Sequence, residues 1–376
     1  MIYLDNGATS YPKPQSVVNG TLNAIRNYSF NSGRGGYIAS VKTSEKIYSV
    51  REKIGEMFNF EPQNIAFTMN CTQALNMAIK GSVKKGEHVI ISSLEHNAVW
   101  RVVNHLKKDG IIDFDLARYN PDEDKTVGNF ESLIRSNTSV IVCMAASNVF
   151  GVAFPIEKIG KIAKEHGIRF IVDAAQAAGV MPIDAEKCNI DILCAPGHKC
   201  LYGNMGTGFI AVREGVSLET IIDGGTGSES LNPYQPEFLP DRLEAGTLNN
   251  IGIISLGEGI DFINSKGMNR IYEHELRMTE VLYDGLYRNN NAVLYCLKPC
   301  KFRFAPILSF NYKDYPSEKT AVLLAKQDIA VRAGLHCSPL AHKLFNTLDR
   351  GTVRLCPSAF TTQRDCENFL NRLKKI

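Results

Sequence analysis

Nothing in this sequence marks it for a membrane or for export. No apolar run approaches the length of a bilayer span, and Met1 to Asp5 offers neither a basic stretch nor an apolar stretch of the kind that opens a secretory signal. Basic residues do not cluster among aromatics, and a formal net charge of +3 is small for 376 residues, so nucleic acid is a poor partner. The ten cysteines are scattered, with no Cys-x-x-Cys pair and no zinc-like His/Cys spacing. They are too few for a disulfide scaffold in a chain of this length. Internal repeats and low-complexity segments are also missing. These absences predict a cytoplasmic protein with reduced thiols, most of them small buried hydrophobes, and no metal, membrane or nucleic-acid partner.

A hydrophobic content of 44% and a charged content of 22% belong to an ordinary globular chain. It is long enough for one large domain, taken here as residues 15–250, and a smaller one built from 1–14 and 251–376. A short strand at Ile2 to Leu4 precedes helices over Ser16 to Tyr28 and Ser40 to Phe58, separated by the Gly-rich loop of residues 31–36. Apolar strand patterns then alternate with helical ones: Ile65 to Thr68, His88 to Ser92, Ser139 to Ala145, Arg169 to Asp173, and the run from Ile192. That alternation predicts an α/β fold whose mostly parallel sheet is covered on both faces. An irregular segment, residues 223–240, follows. Helix is then expected from Ile251 to Asn289, with strands near Val293, Leu308, Val331 and Val353 completing a small α+β domain.

The chemistry gathers at strand ends, where doubly wound sheets bind ligands. Lys199 lies in Ala195-Pro196-Gly197-His198-Lys199, after one apolar run and before the turn-forming Gly203, Gly206 and Gly208. A desolvated lysine there becomes an amine able to form a Schiff base; the plain alternative is a lysine at the mouth of a strand–turn–strand. Cys71 and Thr72 open a helix whose N-terminus suits a phosphate, or they simply cap it. His96 follows the next strand, as a surface histidine or as a flat ring for stacking. Asn148 follows another. Asp173 ends a buried strand and needs a partner, with Gln176 one turn on. A phosphate cradle, a flat imidazole, a carboxylate for a pyridinium nitrogen and a lysine for an aldehyde together describe pyridoxal 5'-phosphate.

The segments VDAAQAAG and APGHKCLYGNMGTG resemble the class V aminotransferase group of fold-type I pyridoxal-phosphate enzymes. RAGLHCSPLAHK and GTVRLCPSAF are similar to its cysteine desulfurase and selenocysteine lyase branch, and the short link from Cys337 to Arg354 resembles the SufS-like subgroup. The resemblance runs from LDNGAT to the last helix. It implies a large cofactor-binding domain with a seven-stranded, mostly parallel sheet, and a homodimer. It further implies that Lys199 holds the cofactor covalently, His96 stacks on its ring, Asp173 meets the ring nitrogen and Gln176 the phenolic oxygen. Cys71, Thr72 and His198 would hold the phosphate, joined by Thr247 of the neighbouring subunit. Asn148 would lie beside the ring and the substrate carboxylate. Arg354, with Arg34 next in line, would bind that carboxylate, a task suited to a guanidinium. Cys337 would be the nucleophile that accepts sulfur, with His96 and Lys199 the other catalytic residues. Three positions depart from the branch's habit: Cys71 stands where threonine is common, Pro196 where serine is, and Gly33 where histidine is.

The expected activity is removal of sulfur from L-cysteine, giving L-alanine and a persulfide on Cys337 that passes to an acceptor protein. Cys337 then needs a base or a positive environment, for which His336 and Arg354 are the candidates. The rival readings are a selenocysteine lyase acting on L-selenocysteine, another class V transaminase or lyase, and a sulfur or selenium relay protein with weak turnover of its own. For Cys337 the bland alternative is that it is one more inert buried thiol.

Overall fold

The computed structural model describes residues 1–33 and 35–376; Arg34 lies outside them. The chain opens with β1 (Ile2–Tyr3), α1 (Gln15–Asn27) and α2 (Ile38–Phe58). It then runs through β2 (Ile65–Thr68), α3 (Cys71–Ser82), β3 (Glu87–Ser92), α4 (Asn97–Lys108), β4 (Ile112–Ala117) and α5 (Glu123–Glu131). Next come β5 (Thr138–Met144), α6 (Ile156–Glu165), β6 (Arg169–Asp173), β7 (Ile192–Pro196) and β8 (Gly208–Val212).

Strands β2 to β8 form one seven-stranded sheet in the order β2-β8-β7-β6-β5-β3-β4. The expected α/β class and mostly parallel sheet are what the structure has, with β8 running antiparallel to both β7 and β2. That reversal arises because β7 and β8 are joined by a turn rather than by a crossover helix.

The apolar strand runs explain the layering. Neighbouring residues of one strand face opposite sides, so Ile141, Cys143, Phe170 and Leu193 join one core with α2, α6 and the later helix α7 (Asn250–Lys266). Val140, Val142, Ile171 and Ile192 join a second core with α3 and α4. Two elements were not foreseen. β4 reads IDFDLA, an apolar–polar alternation that puts Asp113 and Asp115 on partly exposed positions at the sheet edge, unlike the continuous apolar runs of the other strands, and α5 is almost wholly polar and carries no apolar stripe.

The helical run from 251 to 289 is two helices, α7 and α8 (Met268–Tyr287), because Gly267 takes φ +83° and breaks the first. After α8 come β9 (Ala292–Leu294), β10 (Leu308–Tyr312), α9 (Ser317–Ala325), β11 (Ile329–Ala330), β12 (Arg332–Gly334), α10 (Pro339–Leu344), β13 (Thr352–Leu355) and α11 (Gln363–Leu373). A smaller antiparallel sheet has the order β12-β13-β10-β9. Its third core takes Val353, Leu355 and Phe310 with α8 and α11, and also Ile2 and Leu4, since β1 pairs with β11. Arg354, between Val353 and Leu355, therefore faces away from that core.

Candidate active site

Strand ends of the large sheet bring the expected residues together. Cys71, Thr72, His96, Asn148, Asp173, Gln176, His198 and Lys199 all line one pocket. Lys199 sits in the turn between β7 and β8, where Tyr202 N–H donates to its carbonyl at 2.9 Å and Gly203 N–H to that of Gly197 at 2.8 Å. Burial is the main cause of its lowered proton affinity, which Asp173 and Cys71 partly restore. A lysine so placed yields free amine more readily than one at the surface.

Asp173, the last residue of β6, is 4% exposed. Its Oδ1 accepts the Ala175 N–H at 2.8 Å and the Cys71 thiol at 3.6 Å. Burial nevertheless raises its pKa, so the carboxylate lacks a cation equal to its desolvation. The N-cap of α3 is Asn70, whose Oδ1 takes the Gln73 N–H at 2.9 Å. Cys71 and Thr72 are thus the first helical residues, with N–H groups at the positive end of the helix dipole.

His96 is itself the N-cap of α4, its Nδ1 accepting the Ala98 N–H at 3.1 Å. Burial first, then Lys199 and nearby arginines, lower its pKa to about 4. It is a neutral, partly buried ring whose proton sits on Nε2, so the surface-histidine alternative does not hold. Gln176 donates from Nε2 to the Gly7 carbonyl at 3.0 Å, and its buried Oε1 has no partner.

Arg354 is 1% exposed. Its Nη2 pairs with Asp5 Oδ1 at 2.9 Å, its Nη1 donates to the Asn148 carbonyl at 2.9 Å, and its Nε has no partner. Asn148 then reaches the cysteine loop: its Nδ2 donates to the His336 carbonyl at 2.8 Å and its Oδ1 accepts the Ser338 hydroxyl at 2.7 Å. Those bonds flank Cys337, whose carbonyl takes the Asn97 N–H at 2.7 Å. His336 and Cys337 have φ of +49° and +58°, an unfavourable pair for side-chain-bearing residues. The surrounding bonds hold the turn in that shape, and Cys337 is exposed, unlike the six cysteines that are buried.

His336 does not supply positive charge to that thiol. Burial lowers its pKa to about 2, and its Nε2 donates to the Thr352 carbonyl at 2.9 Å. Arg354 is engaged with Asp5 and Asn148. The cation beside Cys337 is Arg332, whose Nη2 lies 3.9 Å from Sγ. Arg332 and Arg354 are direct neighbours across β12 and β13, so they share one face. The sequence reading passed over Arg332; its place in the strand pattern five residues before Cys337 is the one signal that could have found it.

Thr247 is not part of the pocket in the single chain. It is exposed on a separate cleft of about 1210 Å³, with Ser32, Arg51 and Glu244 among its walls. Arg34 lies outside the described residues. Among the described residues no cluster of His, Cys, Asp or Glu could hold a metal, and no helix is long and apolar enough to cross a membrane.

A family model described as aminotransferase class-V matches residues 2–369. The chain belongs to the class-V aminotransferase family. Among its relatives, a probable cysteine desulfurase of Methanothermobacter thermautotrophicus is 31% identical over 384 residues, covering 100% of this chain and 94% of that one. A cysteine desulfurase of Clostridium botulinum is 33% identical over 394 residues, with 100% and 94% covered. The apo structure of a cysteine desulfurase from Thermococcus onnurineus NA1 superposes with a TM-score of 0.92 at 28% identity, covering 100% of this chain and 94% of that one.

Membership of the class-V family implies pyridoxal 5'-phosphate, and the pocket fits that group. Asp173 is a buried carboxylate short of a cation, as a protonated ring nitrogen would be. Gln176 Oε1 and His198 Nδ1 are buried without partners, and the α3 N-terminus offers N–H groups to a dianion.

Proposed function

We propose that this chain is a pyridoxal-phosphate-dependent cysteine desulfurase that converts L-cysteine to L-alanine and leaves the sulfur as a persulfide on Cys337. The observation that carries the reading is the junction at Asn148. One residue lines the Lys199 pocket, binds Arg354 through its carbonyl, and holds the Cys337 turn through its amide. A reactive amine, an anion site and an exposed thiol are thereby linked in one constellation. The relatives named as cysteine desulfurases over the full chain agree with it.

Asp173, Gln176, His198, Cys71 and Thr72 are the residues that would hold the cofactor, with Lys199 attached to it and His96 against its ring. When bound, it supplies an electron sink for charge developing on the substrate carbons. Arg354 holds the substrate carboxylate through guanidinium N–H groups not used by Asp5 and Asn148. Lys199, as free amine, takes the Cα proton. His96, neutral, excludes water from one side and can donate from Nε2. Cys337 attacks the substrate sulfur as thiolate, with Arg332 beside Sγ to balance its charge. The S–S bond forms as the C–S bond breaks. The electron pair of the latter stays with Cβ, which takes up the proton the Cys337 thiol gave up and becomes a methyl group, and Lys199 returns its proton to Cα to give alanine. Cysteine and the Cys337 thiol thus become alanine and Cys337–S–SH, from which an acceptor thiol can draw the sulfur. In this reading the exposed Thr247 serves the pocket of a second copy, so the working unit is a homodimer.

The test is incubation of the purified, cofactor-loaded protein with L-cysteine and, in parallel, L-selenocysteine. Alanine, sulfide and selenide are measured, and the Cys337 peptide is examined for one added sulfur. Stoichiometric alanine and a persulfide on Cys337 are expected. Turnover without sulfur on that peptide would place the chain with another class-V reaction.

A further inference from the structure

One half-buried cation near the site has no part in the chemistry above. Lys13 stands between Pro12 and Pro14, just before α1. Its Nζ lies 2.6 Å from the Gly203 carbonyl, 2.8 Å from Ser10 Oγ and 3.1 Å from the His198 carbonyl. An ammonium has three N–H donors, so neutral oxygens occupy the whole head group. Burial lowers its pKa from 10.5 to about 8, opposed in part by Cys200 and by no carboxylate.

Its two carbonyl acceptors, His198 and Gly203, lie at the two ends of the turn that carries Lys199. The His198 carbonyl shares a peptide unit with the Lys199 N–H. The same oxygen also receives Ser10 N–H at 3.0 Å, Thr9 Oγ1 at 3.1 Å and Ser10 Oγ at 3.1 Å. Four donors converge on an oxygen with two lone pairs. That exceeds what satisfying the carbonyl requires, and it fixes the plane of the peptide. The segment continues to the other working parts, with the Gly7 carbonyl on Gln176 and Asp5 on Arg354. It is a strap laid across the lysine turn and the anion site.

We propose that Lys13 is a positioning residue for Lys199. Its ammonium ties His198 to Gly203 and so sets the direction in which the Lys199 side chain leaves the backbone. The inference rests on the reading of Lys199 as the amine that works on Cα.

Lys13→Met keeps most of the apolar stem and removes all three donors. Lys13→Arg keeps the charge but spreads it over a planar fork that cannot meet three converging oxygens from one point. Amide hydrogen exchange of the full-length protein reads the turn independently of activity. In Lys13→Met the Tyr202 and Gly203 amides should exchange on the order of tenfold faster, with β6 and α7 unchanged. In the loaded enzyme kcat should fall on the order of tenfold while KM for cysteine stays within about twofold, because Arg354 is untouched. Lys13→Arg should recover part of both. Unchanged exchange at the turn would overturn the proposal. Faster exchange throughout, with a lower Tm, would make Lys13 a general prop and overturn it equally. A raised KM at constant kcat would mean that the strap acts through Arg354 instead, again against the proposal. If Lys13→Met does not fold, Lys13→Arg and Lys13→Gln carry the same comparison. Should the wild type make no alanine from cysteine, the functional reading fails while the exchange data still judge the clamp.

Discussion

Replacing Arg354 by leucine removes a guanidinium that is 1% exposed and whose Nε–H has no acceptor. An unpaired buried donor costs about 1–3 kcal/mol, and a bound carboxylate relieves that cost. The substrate should therefore be held by charge-assisted bonds to the N–H groups left over from Asp5 and Asn148. Taking two such bonds at the low end, about 1.5 kcal/mol each, the loss is about 3 kcal/mol, or roughly 100-fold in KM. The amine at Lys199 and the thiol at Cys337 are not touched, so kcat should change far less. Arg354→Leu also leaves Asp5 without its 2.9 Å partner, so some loss of Tm is expected. Arg354→Lys separates the two effects. A single ammonium can satisfy Asp5 or the substrate but cannot span both, so it should restore Tm more than KM. The assay is steady-state alanine formation over a wide range of cysteine, with circular dichroism and a thermal melt beside it. A folded Arg354→Leu protein whose KM is within twofold of wild type would refute the argument and move the carboxylate site to another cation, Arg332 being the nearest in the sheet.

Cys337→Ala should still bind the cofactor but lose at least about 100-fold in alanine formation from cysteine, while part of the selenocysteine activity survives because selenium leaves more readily; near-normal cysteine turnover would remove Cys337 from the mechanism. Gly7→Ala would place a Cβ 3.0 Å from Arg354 Cζ, so KM should rise roughly tenfold at similar kcat as the guanidinium is pushed aside; an unchanged KM would show that the strap gives way. Burial raises the pKa of Glu275 from 4.5 to about 8, opposed in part by the Tyr202 hydroxyl at 3.0 Å. The folded state then keeps a proton that the unfolded chain releases, so stability should fall as pH rises from about 4.5 to 8, by up to a few kcal/mol. Glu275→Gln should flatten that slope in urea melts between pH 5 and 8.5, leaving a remainder from Glu95, which burial raises to about 8 as well; a slope identical to wild type would mean that Glu275 is ionised in the fold.

Local pattern was enough for most of the large sheet and for placing most pocket residues at strand ends, while the roles of those residues rested on the family resemblance. Strands such as Ile65–Thr68 and Arg169–Asp173 are apolar on both faces, which marks a covered parallel sheet, and the reactive residues follow their ends within a few positions. Lys199, Asp173, His96 and Asn148 were legible for that reason: chain position next to a buried strand already fixes where a side chain must emerge. Features that depend on distant pairings were not. The strap of residues 5–13 meets partners 169 to 349 positions away. Arg332 reaches Cys337 only because β12 lies beside β13 and the next turn folds back with two residues at positive φ. The neutrality of His336 follows from burial against Thr352 and Arg354, a property of the packed interior that no residue type announces. Sequence determines which elements form and which faces are apolar, because those are set by neighbours a few residues apart. Tertiary structure alone decided that Arg332 stands beside Cys337 and what holds the lysine turn, because charge, desolvation and hydrogen-bond closure depend on groups that only folding brings together.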